Sequence, residues 1–429
     1  MTLLMLFGLF AVLIVIEVPV AFAMGLASIA TIALTQPIPL SIVVQRMGTG
    51  LDSFVLIAIP LFVLAGHLLN RAGIANRIFD FATALVGHIR GGLAHVNVVA
   101  SMIFAGMSGV AQADAAGLGV VEVNAMRKEG FDVAFSAAVS AASAIIGPII
   151  PPSVIMVVYA VMVQASVADL FLAGFLPGIL MGGALMVMIY WLVRTGRVAA
   201  PPTQRMSYPL LGRTFVRALP ALAAPILLTV GLLAGVATPT ELGALTVVYA
   251  AALGFVQREL TIKDAIGAMR ETLVTCGVLV FIIACAVPFG WIVATSQAPM
   301  KLAQFLTSIS DNKYVILAII NIALLVIGCF METTAILLIA TPTLFPTVVA
   351  LGIDPVHFGI MMTVNMEVGM CHPPVGLNLY VASGITKMGI TELTVAVWPW
   401  LLTMLIFLVI VTYWPGLSTG LPRLLGMMG

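Results

Sequence analysis

Residues 143–160 read SAIIGPIIPPSVIMVVYA, an uncharged run interrupted by Pro148, Pro151 and Pro152. Proline removes a backbone donor and breaks a helix. In lipid, each polar group freed by such a break must find another partner, so irregular backbone survives only where protein or a water-filled cavity receives it. Residues 368–385, VGMCHPPVGLNLYVASGI, repeat the pattern with Pro373 and Pro374. Any fold for this chain must therefore house two interrupted apolar segments.

The setting is a membrane. Only 8% of the 429 residues are charged, against about 25% in ordinary globular chains. Apolar runs near or above 18 residues recur, which indicates a polytopic helical membrane protein. The short alternating strands of a β-barrel are not visible. A net charge of +1 gives no basis for nucleic-acid binding. Cys276, Cys285, Cys329 and Cys371 are scattered, forming neither a disulfide framework nor a metal motif. The first apolar run, TLLMLFGLFAVLIVIEV, lacks a basic leader and a small-residue cleavage site, so it is expected to be a retained helix. No G-x-x-x-x-G-K-[ST] loop occurs, and ATP hydrolysis is not expected.

Scarce charge orients the chain. The loop 194–217, with Arg194, Arg197, Arg205, Arg213 and Arg217, is expected to be cytoplasmic. Two spans, about 218–236 and 240–256, return the chain to Arg258, Lys263 and Arg270, so the parity agrees. Upstream, 170–193 forms one span and 131–165 one broken crossing, which starts at Arg127 and Lys128. Residues 91–125 must leave the side of Arg71, Arg77 and Arg90 and come back to it. Two spans need roughly 20 residues each, so a re-entrant hairpin with its tip at Ser108–Gly109 fits better. Its arms reach roughly 24 Å, past the bilayer midplane.

A shift of 222 residues brings Gly106 onto Gly328, Gly130 onto Gly352, Asp132 onto Asp354, Gly147 onto Gly369 and the two double prolines onto each other. These residue types set backbone geometry. The shift predicts a second hairpin at 314–350 and a second broken helix at 356–386. One further crossing near 272–292 makes that hairpin enter from the opposite face, giving an inverted repeat. The expected organisation is scaffold or arm helices at 1–90, a first transport repeat at 91–165, further scaffold at 166–313, a second transport repeat at 314–386 and a C-terminal helix and tail at 387–429. Inverted repeats with broken helices mark secondary transporters, whose substrate and ions bind where half-helix termini meet. Unwound carbonyls suit a cation, and half-helix N-termini suit an anion.

The strings PLFVLAGHLLNRAG (60–73), GHIRGGLAHVNVVASMIFAGMSGVAQADAAGLG (87–119), IIPPSVIMVVYA (149–160) and FLAGFLPGILMG (171–182) resemble the large membrane subunit of tripartite ATP-independent periplasmic (TRAP) transporters. So do GVATPTELGAL (235–245), GIDPVHFGIMMTVNMEVG (352–369) and PPVGLNLYVASGI (373–385). The resemblance implies an all-α elevator in the bacterial inner membrane, importing a small carboxylate with Na⁺ as coupling ion and no other cofactor. It also implies a periplasmic solute-binding protein and a small four-helix membrane subunit, here expected as a separate chain.

On that reading a first sodium site draws on Ser108, Gly109, Asp114, Gly147, Pro148 and Pro151, with backbone carbonyls across Gly147–Pro151 including Ile149. A second draws on Gly328, Thr333, Asn365, Gly369 and Pro373. Ser108, Ser153, Thr333 and Asn378 are the substrate candidates, and no transition metal is expected. Plainer roles stand beside these. Ser108 and Ser153 could cap the helices that follow them, Asp114 could complement a helix N-terminus, and the prolines could be structural kinks. Glu332 is a candidate for stabilising the arm it precedes. Glu241 is assigned to a scaffold turn, Glu17 and Pro19 to a helix end or a subunit contact, and His67, Arg71 and Arg77 to topology.

Two other classes compete. An intramembrane hydrolase using His357, Glu367 and His372 fails on spacing, because five residues do not put Glu367 and His372 on one helical face. A channel, or a stand-alone ion-coupled anion transporter or antiporter without a binding protein, fits the broken helices equally well; only the family strings argue against it.

Overall fold

The computed structural model describes residues 1–201 and 206–426, apart from the side chains at 108, 112, 113 and 233. Arg205 and the side chain of Ser108 thus lie outside the described residues. Regular structure among the described residues is entirely helical. By length and composition, seven helices could cross a membrane: Phe54–Arg71, Val167–Arg194, Tyr208–Leu232, Pro239–Val256, Ile262–Thr295, Thr333–Ala350 and Ile390–Tyr413. Large apolar side chains on their outward faces, such as Val230, Val248 and Leu273, stay exposed, as a lipid surface requires.

The 222-residue shift extends to whole elements. Ile74–Val86 falls on Ala298–Ile309, Gly92–Ser108 on Lys313–Gly328, and Ala111–Glu129 on Thr333–Ala350. Val133–Ala144 falls on Pro355–Gly369, Val154–Val163 on Leu377–Thr386, and Val167–Arg194 on Ile390–Tyr413, every boundary agreeing within three residues. Gly130 (φ 96°) and Gly352 (φ 70°) end corresponding helices in the left-handed region, where a Cβ is disfavoured. Asp132 and Asp354 then cap the next helices, accepting from Phe135 N at 3.0 Å and Val356 N at 2.8 Å. Glycine and aspartate therefore recur because each repeat stops one helix and starts another within a few residues.

Residues 145–153 and 370–376 separate the halves of the two interrupted helices. The Pro151–Pro152 and Pro373–Pro374 bonds are both cis. Val154–Val163 packs on Thr333–Ala350, and Leu377–Thr386 packs on Ala111–Glu129, so each second half leans on the other repeat. Tyr159 OH donates to Pro355 O at 2.7 Å across the same seam. Outside this unit, Ala58–Arg71 packs on Pro239–Val256 and on the long helix Ile262–Thr295, which also touches Thr333–Ala350.

Some boundaries differ from those expected. The basic loop 194–217 is shorter, because a helix with Pro209 in its first turn already runs from Tyr208 and takes in Arg213 and Arg217. The crossing expected near 272–292 begins at Ile262, where Thr261 and Asp264 form a capping box. Thr333–Ala350, expected as a hairpin arm, is long and apolar enough to be a span. Ala298–Ile309 and Lys313–Gly328 meet at a bend of 117°.

Candidate functional site

The first helix pair turns at Gly109, whose φ of 66° and close approach to the Pro152 carbonyl leave no room for a Cβ. Val154 N donates to Gly109 O at 3.5 Å, tying this tip to the first break. Asp114, 2% exposed, stands in the first turn of the returning helix. Its carboxylate lies over Gly147, where a Cβ would collide with Oδ2 and come within 3.2 Å of Cγ. Ser153 is fully buried and caps Val154–Val163, its Oγ accepting from Met156 N at 3.3 Å.

The second tip is built alike from different side chains. Gly328 and Gly369 meet backbone to backbone; a Cβ on Gly369 would stand 3.0 Å from Gly328 Cα. Glu332 caps Thr333–Ala350, accepting from Ala335 N at 3.2 Å and Thr334 Oγ1 at 2.9 Å. Thr333 Oγ1 donates to Glu367 Oε1 at 3.5 Å. Glu367 is 1% exposed, and its Oε2 has no hydrogen-bond partner among the described residues.

A cavity of about 840 Å³ opens between these tips and the neighbouring helices. Gly109, Pro148 and Val154 line it from the first repeat, and Glu332, Thr333 and Glu367 from the second. His67, Asn70 and Glu271 complete the wall from Ala58–Arg71 and Ile262–Thr295. Glu271 is held by Arg71 at 2.6 Å, so its charge is compensated. No lysine or arginine lines the cavity among the described residues. Glu332 and Glu367 face the same cavity. Two ionised carboxylates repel far more strongly in a water-poor setting than in bulk water.

The structure thus brings Gly109, Asp114, Gly147, Pro148 and Thr333 to one neighbourhood. Other candidates stand elsewhere. Asn365 does not line the cavity; its Nδ2 donates to Asn321 Oδ1 at 2.7 Å and Asn321 O at 3.0 Å. Asn321 Nδ2 in turn donates to Thr412 Oγ1 at 2.9 Å. Asn378 is buried with Nδ2 3.4 Å from Ala141 O. Pro151 O faces Gly106, and Pro373 O accepts from His372 Nδ1 at 2.6 Å. Glu241 completes a capping box with Thr238 at the scaffold turn. Arg77 binds Gln257 at 2.6 Å and Glu259 at 2.5 Å, so the two basic stretches assigned to one membrane side meet.

The family description of the DctM component of the tripartite ATP-independent periplasmic transporter matches residues 7–417. The chain belongs to this family. Its relatives include the C4-dicarboxylate TRAP transporter large permease protein DctM of Rhodobacter capsulatus, 43% identical over 442 residues and covering 100% of both chains. The sialic acid TRAP transporter large permease protein SiaM of Vibrio cholerae is 41% identical, with 95% of each chain covered. Among solved structures, the Alcanivorax borkumensis YdaH transporter shares the fold with a TM-score of 0.66 at 16% identity, over 90% of this chain and 91% of its own.

As a DctM-family large permease the protein is a multi-pass membrane transporter subunit, not an enzyme. The family implies a small membrane subunit and a periplasmic binding protein as partners. In this permease, sequence reasoning passed over Glu122 and considered Glu367 only as part of a rejected hydrolase. An acid set in an apolar stretch, VVEV or NMEV, was the available signal.

Proposed function

We propose that this permease imports a small carboxylate, delivered by a periplasmic binding protein, using Na⁺ as coupling ion and an elevator movement of an inverted-repeat transport unit. The observation that carries the reading is the cavity where both tips meet, with Glu332, Thr333 and Glu367 on its wall and no lysine or arginine among its described lining residues. A carboxylate solute entering alone would face repulsion from the two glutamates. A sodium ion seated first removes that repulsion and supplies positive charge for the solute. Hard oxygen donors suit that ion: the free Glu367 Oε2, the Thr333 hydroxyl, and loosened carbonyls at the breaks. The relatives named for C4-dicarboxylates and sialic acid supply the solute class. Ion binding then precedes solute binding, and both sites move together.

Sodium binding can be measured without the solute. A ligand that binds the folded state at ten times its dissociation constant stabilises it by about 1.4 kcal/mol. Purified permease should therefore melt at a higher temperature in NaCl than in KCl at equal ionic strength, and Glu367→Gln should lose most of that difference. Equal melting of the wild type in both salts removes sodium from the reading. Uptake of succinate and of sialic acid into vesicles holding both membrane subunits and the binding protein then tests the solute class. Uptake unaffected by omitting the binding protein would favour a stand-alone transporter.

A further inference from the structure

Away from the cavity, a second buried carboxylate has no role in the sodium reading. Glu122 lies midway along Ala111–Glu129 and is 1% exposed. Its surroundings are hydroxyls and one amide. Ser101 Oγ donates to Glu122 Oε1 at 3.5 Å. Ser101 donates to Ser143 Oγ at 3.0 Å, Ser143 to Asn97 Oδ1 at 2.6 Å, and Asn97 Nδ2 to Ser140 Oγ at 2.5 Å. The chain of bonds runs from the glutamate through Ser101, Ser143 and Asn97 to Ser140.

We propose that Glu122 is a proton-binding site whose ionised and protonated forms are both accommodated by these hydroxyls. Three features of the geometry argue for a proton rather than a metal ion. The oxygens already touch one another at hydrogen-bond distance, so a cation of sodium's size would have to push them apart. A hydroxyl both donates and accepts. Ser101 can therefore donate to the ionised carboxylate, or turn its proton to Ser143 Oγ and accept from the protonated acid. Finally, Asp114 lies eight residues earlier on the same helix, about 12 Å along its axis, close enough for its charge to bear on Glu122 in a low-dielectric interior. A proton on Glu122 thus senses whether the tip carboxylate is compensated.

The other packed elements offer no competing partner. Val133–Ala144 carries no titratable group, and Leu377–Thr386 carries Tyr380. Gly92–Ser108 carries His95, whose Nε2 lies 3.1 Å from Arg90 O, and Ile74–Val86 carries Arg77 and Asp80. Glu122 shares its own helix with Asp114, Arg127, Lys128 and Glu129.

The test needs no solute and does not depend on sodium coupling. Infrared spectra of the full chain in lipid vesicles, taken across pH in KCl, report the carbonyl stretch of protonated carboxylic acids. The wild type minus Glu122→Gln difference should show one such band that disappears on alkalinisation. Ser101→Ala should keep the band and displace its titration midpoint. The proposal is overturned by superimposable wild-type and Glu122→Gln spectra at every pH, or by a band that never titrates while the protein stays folded. It is also overturned if NaCl at constant pH abolishes the band, since a metal ion would then be the ligand. A midpoint unmoved by Ser101→Ala removes the hydroxyls from the mechanism.

Discussion

Gly328 and Gly369 meet where the second tip rests on the second break, and no side chain intervenes. An alanine at 369 would put its Cβ 3.0 Å from Gly328 Cα and 3.3 Å from its O, which a shift of a few tenths of an ångström could relieve. A valine could not be relieved so cheaply, because both neighbours are backbone. Overpacking of this kind costs roughly 1–3 kcal/mol. Gly369→Val should therefore melt well below the wild type in detergent, with Gly369→Ala between them; identical melting of all three would show that the tip does not press on the break. These glycines were legible in the sequence because they recur at a fixed offset and carry backbone information. The glutamates were less so. Glu122 and Glu367 each stand in an apolar run, and nothing local says whether they meet hydroxyls, a cavity or each other. Asn365 was placed with the second ion site, yet its partner Asn321 lies 44 residues away on another helix. Side-chain partners set by tertiary packing carry no short-range signal.

At the scale of elements, punctuation decided what could be read. The interrupted helices were legible from their prolines, and their starts from Asp132 and Asp354. Each aspartate satisfies amides that the first turn leaves without partners. Replacing such a cap with alanine costs about 1 kcal/mol. Asp354→Ala should cost more than Asp132→Ala, because Asp354 accepts from both Val356 N and His357 N and faces Arg423 at 3.9 Å. Denaturant or thermal unfolding of the two single variants measures this, and a larger loss for Asp132→Ala would contradict the order. The misplaced boundaries have one cause. Arg213, Arg217, Lys263 and Arg270 were read as ending the helices, but a membrane helix can continue into water beyond the lipid, and charge marks the bilayer edge rather than the helix end.

Across the whole molecule, the elevator reading makes a geometric demand. The first hairpin and its broken helix must slide as a body against Ala58–Arg71 and Ile262–Thr295. At present the two bodies touch: a Cβ on Gly117 would lie 3.0 Å from Asn70 Nδ2. Such contacts must break and reform if the unit moves, whereas contacts within the unit, such as Val154 N with Gly109 O, must persist. Spin labels at the exposed positions Val120 and Leu273 report the separation of the two bodies. Two distance populations are expected in vesicles, their proportions changing when NaCl replaces KCl. A ligand shifts such an equilibrium only by its different affinity for the two states. An Asn70→Cys/Gly117→Cys disulfide should then collapse the distribution onto one population, and reduction should restore both. A single distance, unchanged by sodium and by the crosslink, would leave a rigid unit that opens by local gating at its tips.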